Sequence, residues 1–170
     1  MIYRGLHVLI GVSALVLSAC ANGTLRDPGN DTPVVTTKPS SNISQSIVDL
    51  TNRERTIAGV RALAREDRLM QAAQIHADQM AAAKRMDHVL EGARYPTLVS
   101  RLAAVGYRYG ATAENISWNQ PSASVTVAGW MRSVGHRTNM LSTMYTEMGA
   151  GYATDASGQS YYVQVFGIQR

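Results

Sequence analysis

Cysteine is almost absent from this chain: one residue, Cys20, stands near the N-terminus and none follows it. A lone thiol makes no internal disulfide and no cysteine metal cluster, so the fold must rest on its apolar core. Long apolar runs are missing too. The stretch from Leu6 to Leu17 falls short of the roughly 20 residues that a membrane-spanning helix needs. Aromatic residues make up 6% of the chain, and the basic residues are scattered among acids (Arg53, Arg55, Arg61, Arg65, Arg68). No basic stripe with aromatic platforms forms, which excludes nucleic acid as a partner. Several catalytic signatures are also lacking: no G-x-S-x-G elbow, no S-x-x-K, no H-E-x-x-H and no phosphate-cradling glycine loop.

What is present starts with a leader. Arg4 precedes the short apolar run, which ends in Leu17-Ser18-Ala19-Cys20. A basic start, an apolar centre and small residues at the cut site read as a secretory signal over residues 1–19. The sequence LSAC resembles the lipobox of bacterial lipoprotein precursors, which implies that Cys20 is lipidated and anchors the chain to a membrane. Residues 21–42 are rich in Thr, Ser, Asn and Pro without hydrophobic period, and read as a tether. A coil of that length reaches about 25 Å. The remaining residues, 43–170, form one domain large enough for a real core.

Within the domain, Ile43, Ile47, Leu50 and Ile57 recur at helical spacing, with Ser44 as cap and Gly59 as stop. Glu54 falls in the same stripe and reads as a partly buried carboxylate paired with an arginine. A second helix runs from Asp67 to Met86, with Leu69, Ala73, His76, Met80 and Ala83 inward. Thr97 opens a short helix that stops at Gly106. The text AENISWN reads as a short strand or an extended loop, and Ser122 to Met131 as a helix. Two strand-like runs, Met148–Ala153 and Tyr161–Gly167, flank Asp155-Ala156-Ser157-Gly158 and predict a hairpin. Helices first and an antiparallel pair last give an α+β class.

The chemistry-bearing residues are isolated: His88, Glu114, His136 and Glu147. Two imidazoles and two carboxylates brought together would suit a divalent metal or a proton relay. Around them, Trp130-x-x-Ser133-x-Gly135-His136-Arg137-x-Asn139 and Tyr145-Thr146-Glu147-Met148-Gly149-x-Gly151 resemble the bacterial branch of the CAP superfamily, also called SCP domains. The likeness extends through Leu50-x-Asn52-x-x-Arg55, His76-x-x-x-Met80, Arg101-Leu102-x-x-x-Gly106-Tyr107, Glu114-Asn115-Ile116 and Tyr162-Val163-Gln164-x-Phe166-Gly167. That resemblance implies an α-β-α sandwich, a small antiparallel sheet flanked by helices, with a cleft on one side. It further implies a His/Glu tetrad of His88, Glu114, His136 and Glu147, able in some members to hold a divalent metal such as zinc. Asn115, Arg137 and Asn139 are expected to fix the loops around it. This chain departs from the pattern at Ala113, where glycine is usual, and at Met86-Asp87, where aromatic residues precede the histidine.

Blander roles stand beside these. His76, in an apolar helical stripe, reads as a core histidine bonded to a backbone group. Glu114 and Glu147 could each brace a loop, the latter by gripping Arg137. Trp130, Tyr107 and Tyr162 read as core or cleft wall. Three functions stay open: a binding module for an envelope peptide, glycan or lipid; a metal-assisted hydrolase with a glutamate base; and a structural envelope protein with a non-catalytic tetrad. The residue after Cys20 is Ala21 rather than an inner-membrane retention aspartate, so outer-membrane anchoring facing the periplasm is expected in a Gram-negative host.

Overall fold

The computed structural model describes residues 39–170. The signal segment, Cys20 and most of the tether lie outside the described residues, and among those described no helix is long and apolar enough to cross a membrane. Helix α1 (Pro39–Ile57) begins upstream of Ser44, which is buried inside it rather than capping it. Its inner stripe is Ser44, Ile47, Val48, Thr51 and Arg55, while Ile57 points out at 74% exposure. The apolar count therefore misplaced the last turn. Arg55 takes the inward position because its guanidinium finds three carbonyls: Arg61 at 2.7 Å, Met140 at 2.6 Å and Ser142 at 2.9 Å. Buried charge is tolerated when its donors are bonded. Glu54 is half-buried and forms no ion pair among the described residues.

Strand β1 (Ala64–Arg65) leads into helix α2 (Asp67–Ala83), whose start is capped by the Glu66 carboxylate accepting from the Arg68 amide. Helix α3 (Leu98–Ala104) starts with a capping box between Thr97 and Ser100. Strand β2 (Tyr109–Trp118) resolves the AENISWN segment as strand. Helix α4 (Ala123–Arg132) is capped by the Ser122 hydroxyl, and Ser133 alone separates it from helix α5 (Val134–Leu141). Strands β3 (Glu147–Thr154) and β4 (Ser160–Gln169) form the expected hairpin.

The sheet order is β1-β3-β4-β2. β2 and β3 both run antiparallel to β4, and β1 adds a two-residue parallel pairing to β3, so the sheet is mixed rather than wholly antiparallel. Alternation along β4 sorts the core into two layers. Tyr161, Val163 and Val165 face α2 and α3 with Leu69, Ala73 and Leu102. Tyr162 and Phe166 face α1 and α4 with Ile47, Val127 and Trp130. Helices on both faces of the sheet make the α-β-α sandwich.

α2 rests on β3 with no side chain between them. A Cβ on Gly149 would meet the Leu69 carbonyl carbon at 2.1 Å, and one on Gly151 would meet the Ala73 carbonyl oxygen at 2.3 Å. These two glycines let the helix backbone sit directly on the strand. At the opposite margin β2 is the outer strand, and two of its carbonyls are covered by side chains. Trp130 Nε1 donates to the Ile116 carbonyl at 3.1 Å, and Gln120 Nε2 to the Trp118 carbonyl at 3.2 Å.

Candidate functional site

Glu114 stands on the outer strand β2 and faces the α2 layer. Its side chain is 4% exposed, yet both oxygens are engaged. Oε2 accepts from Arg101 Nη2 at 2.7 Å, and Oε1 lies 3.0 Å from His88 Nδ1. Arg101 comes from α3 and is fully buried, so the carboxylate and guanidinium neutralise each other inside the protein. A carboxylate only accepts, so His88 Nδ1 carries the proton of that contact and Nε2 remains the free position of the ring. His88 lies on the segment between α2 and α3 with its side chain about half exposed. The hydrogen bond to Glu114 raises its pKa above the ordinary histidine value.

His76 approaches the same carboxylate from α2, with Nε2 3.7 Å from Oε1. It is fully buried as expected; neither ring nitrogen meets full hydrogen-bond geometry among the described residues, although the Asp87 backbone approaches the ring. Desolvation lowers its pKa to about 4, so it is neutral at pH 7. The sequence named Arg101 only within the motif Arg101-Leu102-x-x-x-Gly106-Tyr107 and gave it no part in the site, although it occupies the inner stripe of α3 one turn from Leu98 and beside Leu102.

His136 enters from α5, on the other layer, and reaches the same margin of the sheet. Its pKa is lowered, first by burial and then by the nearby His88. Its ring makes no hydrogen bond among the described residues. Its backbone is held instead: Asn115 Nδ2 donates to the His136 carbonyl at 3.1 Å and to Gln164 Oε1 at 3.0 Å. Asn139 Nδ2 donates to Asn115 Oδ1 at 2.9 Å, and Gln164 Nε2 to Thr51 Oγ1 at 2.6 Å. A buried polar chain thus runs from α1 through β4 and β2 to α5. Asn115 and Asn139 together hold the His136 backbone in place. Arg137 is exposed and makes only a long contact, 3.4 Å, to the Met131 carbonyl.

Beside His136 a cavity of about 460 Å³ crosses the β2 margin between the two layers. Met86, Ile116 and Trp118 line one side, and Thr126, Gly129, Trp130, Arg132 and Ser133 the other, with Ser117, Asn119 and Gln120 at the strand's end.

Glu147 stands apart. It faces the same layer as Glu114 but on β3, on the far side of β4, opposite Gly167. Tyr107 donates to its Oε2 at 2.6 Å and Gln169 to its Oε1 at 2.8 Å. Arg68 covers the Tyr107 ring at 5.3 Å. Glu147 therefore ties the turn before β2 to β3 and β4, and it grips Tyr107 rather than Arg137. The expected four-residue constellation is thus brought together only in part: His88 with Glu114, and His136 close to His88. A metal centre built by the protein alone does not fit this arrangement. Zinc sites take three or four protein ligands; here both Glu114 oxygens already bind protein donors and Glu147 is elsewhere. Among the described residues no group of three or more His, Cys, Asp or Glu side chains is disposed to hold a metal ion.

Comparison with known proteins follows the same outline. The sequence matches the family described as CAP, the cysteine-rich secretory protein family, over residues 48–166. It is 30% identical over 125 residues to the uncharacterised protein YkwD of Bacillus subtilis, covering 72% of this chain and 48% of that one. It is also 30% identical over 122 residues to the uncharacterised membrane protein YlbC of the same organism, covering 72% and 33%. The chain spans about half or less of the length of these curated relatives. Among solved structures, it is similar to an extracellular protein containing an SCP domain from Bacillus anthracis, with TM-score 0.69, 26% identity, and coverage of 84% of this chain and 45% of that one. It also shares its fold with an outer surface protein of Borrelia burgdorferi, with TM-score 0.67, 17% identity, and coverage of 74% and 92%.

Proposed function

This chain belongs to the CAP family, and from that premise we propose that it is a lipid-anchored binding module of the cell envelope. Cys20 carries the lipid, and the cleft at the β2 margin takes an extended envelope ligand. His88 Nε2 and the His136 ring are the polar contacts offered to it. The observation that carries this reading is the state of the carboxylates. The metal-assisted hydrolase considered from the sequence needs a glutamate with a free oxygen to act as base, whereas Glu114 is held by Arg101 and His88, and Glu147 by Tyr107 and Gln169. The imidazoles of His88 and His136 keep ring nitrogens free to hydrogen-bond a ligand. The relatives described as extracellular, outer-surface or membrane proteins support an envelope location. In a Gram-negative host the outer membrane, facing the periplasm, is the proposed address.

The test is capture of solubilised envelope components by the wild type, His88→Ala and His136→Ala, with recovery of the bound species and assay of metal content. Capture of an intact ligand by the wild type, weakened in both variants at unchanged Tm, is the expected result. Released cleavage products that depend on His136, or stoichiometric zinc lost from both variants, would replace the binding module by the metal-assisted hydrolase.

A further inference from the structure

We infer that the cavity beside His136 takes a carboxylate-bearing saccharide, an assignment that rests on the binding-module reading and narrows its ligand class. Three kinds of ligand can occupy a cleft at a sheet margin. A peptide would add to the outer strand through its main chain, pairing with groups of β2 that point outward at every second residue. Ile116 and Trp118 are two residues apart, so their carbonyls point the same way, and Trp130 and Gln120 already donate to both. Strand addition is closed along that stretch. An acyl chain would need a continuous apolar lining, whereas Ser117, Asn119, Gln120, Arg132 and Ser133 interrupt this one.

A sugar ring meets the opposite demand. It presents an apolar C–H face bounded by hydroxyl groups, and it binds where a flat aromatic surface lies beside amides and hydroxyls. Trp118 supplies that surface. It lies at the end of β2, is 41% exposed, and makes a tilted contact with Tyr161 at 6.4 Å between ring centroids. The volume, about 460 Å³, lies within the roughly 300–1,000 Å³ usual for ligand pockets. The sign of the charge follows from the lining. It contains no Asp or Glu, while Arg132 makes no ion pair among the described residues and the His136 ring is unbonded. An unpaired guanidinium in a cleft without acids favours a carboxylate on the ligand.

Gly129 gives a clean way to close the cavity. It lines the wall on α4, and a Cβ placed there would meet only the far end of the Arg132 side chain, at 4.0 Å. A side chain at 129 therefore starts in open space on the cavity wall. The experiment is calorimetric titration of the full chain in detergent with N-acetylglucosaminyl-N-acetylmuramic acid, and with chitobiose, which keeps the rings and acetamido groups but lacks the carboxylate. The acidic disaccharide should bind, chitobiose about tenfold more weakly, and Trp118→Ala and Gly129→Leu should each weaken the acidic disaccharide about tenfold while the domain stays folded, with no loss of Tm in Gly129→Leu. Equal affinity for the two sugars, no binding of either, or binding indifferent to both substitutions overturns the assignment. Should His136-dependent capture of another envelope ligand persist in that event, the saccharide fails and the binding module stands; loss of all capture removes both.

Discussion

His76 is a fully buried imidazole, and its pH behaviour follows from that desolvation. In the unfolded chain it titrates near 6.5, and in the folded protein at about 4. Between those values the unfolded state binds more protons, so the folded state loses stability as pH falls through that window. The expected outcome is a Tm that drops from pH 6.5 to pH 4 more steeply in the wild type than in His76→Gln; parallel curves for the two proteins would refute it. His88 has the opposite sign. Its folded pKa is raised, so its contribution is complete below about 6.5 and fades as pH rises through the folded value. At this scale the sequence was partly legible. The burial of His76 was readable from its apolar stripe, but its closeness to Glu114 joins residues far apart in the chain. Arg101 was named in a motif but given no role beside Glu114, because an arginine reads by default as solvated. Its phase with Leu98 and Leu102 was the available sign that it turns inward.

Among the elements, α2 and β3 are joined most tightly, because two glycines remove everything between their backbones. Gly151→Ala forces a carbon against the Ala73 carbonyl oxygen and should destabilise the protein by about 3 kcal/mol or prevent folding. Gly129→Ala, on α4, meets nothing closer than 4.0 Å and should raise stability by about 0.5–1 kcal/mol. Urea denaturation of the two variants checks both; a Gly151→Ala variant as stable as the wild type would show that the close seat of α2 on β3 is not needed. The hairpin, α2, α3 and α4 were legible because turn residues, capping side chains and helical period agree there. β1 escaped notice because two residues, Ala64 and Arg65, carry no periodicity, and their pairing depends on β3 lying alongside. α5 escaped notice because only Met140 of its eight residues is buried, which leaves no apolar stripe to read. α1 was found, but Arg55 took the inward position assigned to a hydrophobic residue.

For the molecule as a whole, the sandwich follows the family pattern. The partial assembly of the tetrad does not, because Glu147 and Glu114 stand on strands separated by β4. No local pattern encodes that separation; it arises from the strand order. Anchoring is testable at this scale. Cys20→Ser should move the protein from the membrane fraction to the soluble fraction while leaving the domain's Tm unchanged, and retention in the membrane would show that something other than the lipid holds it.

The seating of α2 on bare glycine has one more consequence. The two faces of the sheet are held differently. On one, helix and sheet touch backbone to backbone, so the main chain sets the spacing. On the other, α4 and α5 meet at the single residue Ser133 and hold the sheet through side chains: buried Val127, Trp130 and Met140, and the bonds of Trp130, Asn139 and Asn115. Substitutions of side chains can therefore reshape the cavity wall on α4 while the main-chain seat of α2 stays fixed.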